Sequence, residues 1–156
     1  MCGIVAVTGY KKALPLLING LEKLEYRGYD SAGIAIINSE TNCISCNKAE
    51  GKLKNLISNL NDHNIPGTVG IGHTRWATHG KPEVKNAHPH TDSSGNIAVV
   101  QNGIIENFQD LKNKLEKEGI IFNSDTDTEV IPHLIQRELN TLSKLNLENN
   151  GSTLLV

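Results

Sequence analysis

Apolar positions along the 156-residue chain change period several times, and each change marks an element. Ile4 to Val7 is a short apolar run directly after the N-terminus and reads as a buried strand. Leu14, Leu17, Ile18, Leu21 and Leu24 then recur at helical spacing, with Pro15 tolerable in a first turn. Leu24 to Gly33 is a polar, glycine-containing loop that feeds the apolar strand Ala32 to Ile37. A turn over Asn38 to Asn42 leads to a strand near Cys43 to Lys48, which predicts an antiparallel hairpin. Leu53, Leu56, Ile57 and Leu60 mark a second short helix, closed by Asn61 to Gly67. Thr68 to Thr74 has strand character and runs into a long polar stretch, Arg75 to Asn96, of the structureless kind that is usually functional. Ile97 to Gln101 is a strand ending at Asn102-Gly103. Leu111 and Leu115 mark a helix stopped by Gly119, and Ile120 to Phe122 reads as a strand. Thr126-Asp-Thr-Glu129 has the form of a capping box ahead of a helix carrying Val130, Ile131, Leu134, Ile135 and Leu139. After Thr141 the pattern fades into Asn-rich sequence ending at Leu154-Leu155-Val156. Short strands in quantity, separated by helices, predict a layered α/β sandwich.

Composition narrows the class. With 38% apolar and 21% charged residues, the chain can bury a sizeable core, which excludes a disordered chain or a disulfide-dependent scaffold. A formal charge of −2 leaves no basic excess for nucleic acid or an anionic membrane. No apolar run approaches the roughly 20 residues of a membrane span, and no basic region with an apolar stretch suggests a signal peptide. Cys2, Cys43 and Cys46 cannot form a disulfide framework and suit a reducing compartment, so a cytoplasmic location is expected. Lysine outnumbers arginine 12 to 3, so each arginine is informative, and Arg27 and Arg75 both sit in dense clusters of polar and glycine residues.

Cys2 is the first candidate for chemistry. Once Met1 is removed, one residue carries both a thiol and a free α-amine with an ordinary pKa of about 7.7–8.0. That amine can act as general base for its own side chain, and no histidine partner is then needed. The plain alternative is an incidental or buried apolar cysteine. Arg75, Trp76, Thr78 and His79 fall in Gly72-His-Thr-Arg-Trp-Ala-Thr-His-Gly80, at the end of a predicted strand. An arginine there offers a bidentate fork for a planar carboxylate, and a threonine hydroxyl adds a donor; a surface salt bridge is the alternative. Asn102 and Gly103 could join an amide side chain and a backbone N–H in an oxyanion hole, although Asn-Gly is most often a turn. Asp127 beside a helix start reads first as simple capping. Cys43-Ile-Ser-Cys46 has CxxC spacing without a second pair, and it lies in or beside a strand. His73, His79, His88 and His90 lack the carboxylates of a recognised ligand set, so the reading is no metal and substrate contacts instead.

Met1-Cys-Gly-Ile-Val5, Leu24 to Gly33, His73 to Gly80, Asn86-Ala-His-Pro-His90, Asn102-Gly-Ile-Ile-Glu-Asn107 and Ser124 to Val130 occur in order. Together they resemble the glutaminase domain of the glutamine–fructose-6-phosphate aminotransferase (glucosamine-6-phosphate synthase) family, class II glutamine amidotransferases. The resemblance covers about residues 1–140 and implies an α+β fold, a four-layer α-β-β-α sandwich of antiparallel sheets of the N-terminal nucleophile hydrolase type, here C-terminally shortened. It implies that Cys2 is the nucleophile and its amine the base. Arg75, Thr78 and His79 would hold the glutamine α-carboxylate, and Asp127 with the Gly103 carbonyl the α-ammonium. Asn102 and the Gly103 N–H would form the oxyanion hole. Trp76 would belong to the loop that closes over glutamine and gates ammonia, with Arg27 near that exit. No cofactor is implied. Residues 141–156 read as a divergent tail, with sugar-isomerase domains absent. The expected partners are L-glutamine and a sugar-isomerase module, a full-length synthase or a second copy; no nucleic acid and no membrane. The rival expectation is a catalytically silent glutamine-binding or regulatory fragment.

Overall fold

The computed structural model describes residues 2–60, 65–76, 81–144 and 154–155. Its first sheet joins Gly3–Val7 (β1), Ser31–Ile37 (β2), Ile44–Glu50 (β3) and Gly70–Arg75 (β4) in the antiparallel order β1-β4-β2-β3. The β2–β3 pair is the predicted hairpin. Asn38 Oδ1 accepts the N–H groups of Glu40 and Thr41 in its turn, and Asn42 adopts a φ of 54°. Gly3 pairs with Thr74 and Gly33 with His73, so β4 lies between the chain start and β2.

Strand side chains alternate between the two faces of the sheet. On one face Ala32, Ile34, Ile36 and Ala49 meet Ala13–Glu22 (α1) and Leu53–Leu60 (α2). The helices contribute Ala13, Leu17 and Leu21 from α1, and Leu53, Leu56 and Leu60 from α2, each set on one helical stripe. Full burial of one such large apolar side chain stabilises the fold by roughly 1.5–3 kcal/mol. Backbone and tyrosine groups cap these helices. Ala13 donates its N–H to the Gly67 carbonyl at 2.8 Å, and Leu53 donates to the Tyr29 hydroxyl at 2.6 Å. Tyr29 donates in turn to Glu25; burial and that hydrogen bond push the phenol up to about 12, which keeps it a donor.

The opposite face of β4 and β2 meets a second sheet of His90–Thr91 (β5), Ile97–Val99 (β6) and Leu154–Leu155 (β7). β5 and β6 are antiparallel, whereas β6 and β7 run parallel. Ala35 and Ile71 of the first sheet pack with Ala98 of the second, flanked by Ile44 and Val100. Val130–Lys144 (α4) covers β5 and β6 from outside, and Phe108–Lys117 (α3) packs on α4. The layers run helix, sheet, sheet, helix, which is the expected α-β-β-α sandwich.

Several local expectations are corrected. Residues 120–122 form no strand among the described residues. Ile121 is exposed there, and Phe122 sets its ring edge against His133 with Lys112 over its face. The polar stretch 75–96 is not structureless, since it holds a 3-10 turn, Val84–Asn86, and β5. Thr126 to Glu129 is no capping box. The Glu129 carboxylate turns back to accept the N–H groups of Asn123 and Ser124 and the Ser124 hydroxyl at 2.8, 2.7 and 2.5 Å. The last helix runs beyond Leu139 to Lys144, and Leu154-Leu155 pairs with β6 instead of fading out.

Gly33 makes the inter-sheet approach possible. A Cβ there would lie 2.1 Å from the His88 carbonyl oxygen and 3.1 Å from that of Asn47. Both neighbours are backbone and cannot rotate away. Gly33→Ala should therefore lower unfolding free energy by more than about 3 kcal/mol, beyond ordinary overpacking. Urea titration checks this; an unchanged midpoint would show that the segment carrying His88 is not held against β2.

Candidate active site

Pairing of β1 with β4 carries Cys2 to the end of the first sheet, one residue beyond the Gly3–Thr74 pair and alongside Arg75. Trp76 donates its N–H to Cys2 Sγ at 3.2 Å, and the Trp76 carbonyl lies 3.6 Å from the same sulfur. The sulfur is thus bracketed by one residue's peptide groups, with a donor aimed at it. A cavity of about 250 Å³ opens beside it, lined by Cys2, Arg75, Trp76, His88, Gln101, Asn102, Gly103, Ile104, Thr126, Asp127 and Thr128.

Six sequence-predicted residues, Cys2, Arg75, Trp76, Asn102, Gly103 and Asp127, therefore share one cavity. Thr78 and His79 lie outside the described residues. Arg27 sits on the 3-10 turn Glu25–Arg27 and does not line the cavity. It is followed by Gly28, whose φ of 73° and missing Cβ leave room for the Trp76 ring, 3.1 Å from where a Cβ would stand. Cys43 and Cys46 remain free thiols at the β2–β3 hairpin, away from this cavity.

Two loops are laced together across the site. Asp127 Oδ2 accepts the Ile105 N–H at 2.7 Å. The Thr128 hydroxyl is shared between Gln101 Oε1 at 2.9 Å and Asp127 Oδ1 at 3.4 Å. The Asp127 loop is anchored from below by Glu129, and from the side by Asn86, whose Oδ1 accepts the Asp125 N–H at 2.8 Å. Asp127 thus does more than cap α4. Gln101 and Thr128 were not singled out from sequence; each finds its partner on the other loop, and no local spacing marks them.

A family model described as "Glutamine amidotransferase domain" matches residues 46–146, most of the chain. The chain belongs to the glutamine amidotransferase domain family. It is 60% identical over 136 residues to the glutamine–fructose-6-phosphate aminotransferase [isomerizing] of Gloeobacter violaceus, covering 86% of this chain and 22% of the relative. It is 57% identical over 139 residues to the protein of that name from Pyrococcus horikoshii, covering 89% and 23%. The chain thus spans about a fifth of the length of the curated relatives it matches. Among solved structures it resembles glutamine phosphoribosylpyrophosphate amidotransferase from B. subtilis, with a TM-score of 0.72 and 31% identity over 88% of this chain and 29% of that one. No helix among the described residues is long and apolar enough to cross a membrane.

Behind the cavity this amidotransferase domain buries three histidines between its sheets. The His73 and His88 rings stack at 4.3 Å and 18°, and His90 meets His88 edge-on at 4.6 Å. Burial is the main force holding all three in the neutral form. It lowers His73 to about 4, against the hydrogen bond to Asn102. It also lowers His88, helped by the charges His73 and His90 would carry, and His90, helped by Lys48. Glu129 behaves oppositely. Burial pushes its carboxyl up, but the nearby His133 ring, 3.6 Å away, and hydrogen bonds from Asn123 and Ser124 outweigh this and hold it well below the usual range.

Both shifts have the same consequence on acidification. Unfolded histidines take up protons near pH 6.5 while the folded ones stay neutral, so the unfolded state binds more protons and stability falls as pH drops. Between about pH 7 and about pH 5 the loss should reach at least about 2 kcal/mol, with a further loss below about pH 4.5 as Glu129 is approached. Urea midpoints measured across that range check the sign; a flat profile would show that the three imidazoles are not held neutral.

Proposed function

We propose that this chain hydrolyses the side-chain amide of L-glutamine to glutamate and ammonia, with Cys2 as nucleophile. One observation carries the reading. A thiol one residue from the initiator shares a single cavity with an arginine, an aspartate and an Asn-Gly pair. Glutamine is a zwitterion with an uncharged amide at its far end, and each of its groups has a partner here. The planar Arg75 fork suits its α-carboxylate, with Thr78 and His79 assisting, and Asp127 with the Gly103 carbonyl suits its α-ammonium.

The chemistry follows from these roles. Removal of Met1 frees the Cys2 amine, which accepts the thiol proton as sulfur attacks the amide carbon. The C–O π electrons move to oxygen, and the oxyanion is met by Asn102 Nδ2 and the Gly103 N–H. Collapse expels ammonia, which takes the proton from the amine, and leaves a thioester. Water, deprotonated by the same amine, cleaves the thioester to glutamate and restores the thiol. The Trp76 N–H lies beside the sulfur, and in this reading the Trp76 side chain, 52% exposed, covers bound glutamine and gates the ammonia exit near Arg27.

The name that the relatives share, glutamine–fructose-6-phosphate aminotransferase, supports an ammonia-donating half-reaction of glucosamine-6-phosphate synthesis. Fructose 6-phosphate would then be handled by a sugar-isomerase module or a full-length synthase as partner. Residues 1–140 form the glutaminase unit in this reading.

Glutamate release should exceed that of Cys2→Ala by orders of magnitude; equal rates would instead favour a silent glutamine-binding fragment. Arg75→Lys keeps the charge but loses the fork, so the KM for glutamine should rise sharply while the thiol still reacts with a small alkylating agent. Asn102→Ala should lower kcat by roughly 10²–10³-fold with KM little changed, the usual cost of one oxyanion donor. Steady-state kinetics of the two variants separates binding from chemistry, and equal losses of binding in both would contradict the assignment.

A further inference from the structure

We propose that His73 is a positioning residue for the oxyanion hole: its Nε2–H, donated to Asn102 Oδ1, fixes which way the Asn102 amide faces. The proposal rests on the glutaminase reading above, and it adds a residue that touches neither substrate nor thiol. His73 Nε2 lies 2.8 Å from Asn102 Oδ1. A carbonyl oxygen only accepts, so the imidazole nitrogen must carry the proton.

The two partners differ in how firmly they are held. Asn102 is exposed on the loop after β6, whereas His73 is 1% exposed on central strand β4. The His73 ring is stacked on His88, which accepts the Gln101 N–H at Nδ1 across 3.4 Å. Gly33, paired with His73 on β2, leaves room for the His88 carbonyl and so for this stack. An exposed amide is therefore tied to a buried donor.

Orientation matters because the two ends of the amide are opposite in sign. With Oδ1 engaged, the Nδ2 donors are left for the cavity that Cys2 and Gly103 line. The terminal torsion of asparagine is broad and roughly two-fold, so an untied amide can turn Oδ1 toward the cavity instead. An acceptor would then face the developing oxyanion and raise the barrier. Charged and titratable groups around the ring are Arg75 on the same strand, His88 against its face, and His90 and Lys48 beyond. Burial and the Arg75 charge keep His73 neutral, so its single ring proton is the one on Nε2, facing Asn102 Oδ1.

Nitrogen-15 NMR of the histidine rings tests the proton's position in the wild-type protein without any turnover. His73 should be the Nε2–H tautomer and should not titrate between about pH 5 and about pH 8. The Nδ1–H tautomer, or protonation near pH 6, would overturn the proposal even in an active enzyme. Kinetics provides the second arm. His73→Phe keeps a ring on His88 but loses the donor, so kcat should fall roughly 10- to 100-fold, less than loss of the oxyanion donor itself, with KM and alkylation of Cys2 unchanged. His73→Gln, whose amide N–H can reach the same oxygen, should recover most of that loss. In an Asn102→Ala background His73→Phe should cost nothing further. An equal drop in that background, or no recovery in His73→Gln, would make His73 merely structural. Wild-type protein that releases no glutamate would sink the glutaminase reading while leaving the tautomer result to decide the histidine's contact.

Discussion

The antiparallel pairing of β1 with β4 is the constraint on which the rest of the molecule depends. Gly3 against Thr74 brings the start of the chain to the end of a central strand and sets Cys2 beside Arg75 and Trp76. A terminus is ordinarily the least ordered part of a domain, and here a ladder of backbone hydrogen bonds ties it down. The same strand alternates outward and inward. Gly70 and Gly72 give α1 room to pack closely, while Ile71, His73 and Arg75 are aimed between the sheets. Fold and site therefore share one strand: its helix-facing side holds the core, and its other side supplies the cation and the imidazole behind the cavity.

The inter-sheet space is unusual in being apolar at one end and polar at the other. Ala35, Ile71 and Ala98 close the apolar end with small contacts. Toward the cavity the filling becomes three histidines, Lys48 bonded to the Ala87 carbonyl at 2.9 Å, and Glu129 beneath the Asp127 loop. Buried polar groups of this kind destabilise unless hydrogen-bonded. What they contribute is direction: each fixed donor or acceptor aims a loop residue that solvent alone would leave free to turn. Asn102 is held in this way by His73, while Asp127 is held by the Ile105 N–H of the facing loop.

Much of this was legible in the sequence, for identifiable reasons. The α1 stripe of Leu17 and Leu21 and the β2–β3 hairpin are periodic over enough residues to declare themselves. Cys2, Arg75 and Asn102-Gly103 stood out because reactive or directional groups sit at strand ends beside glycine. The apolar triplet Ile120 to Phe122 misled, because three residues cannot distinguish a strand from a segment packed on a helix. β5 escaped notice because two residues leave no period to read. Glu129 was mistaken for a helix cap because its real partners precede the helix. His73 could be found only through Asn102, 29 residues away in the chain. No local spacing encodes that contact.

Covalent capture of the nucleophile tests the central claim most directly. An electrophilic glutamine analogue, with a chloromethyl ketone in place of the side-chain amide, carries the α-carboxylate and α-ammonium that the proposed function assigns to Arg75 and Asp127. Peptide mapping by mass spectrometry should find one adduct, on a peptide that begins at Cys2 with Met1 removed, and excess glutamine should prevent it. Labelling of Cys43 or Cys46 instead, an adduct on a chain that keeps Met1, or labelling of Cys2 that glutamine does not slow would contradict an N-terminal cysteine acting in a glutamine site.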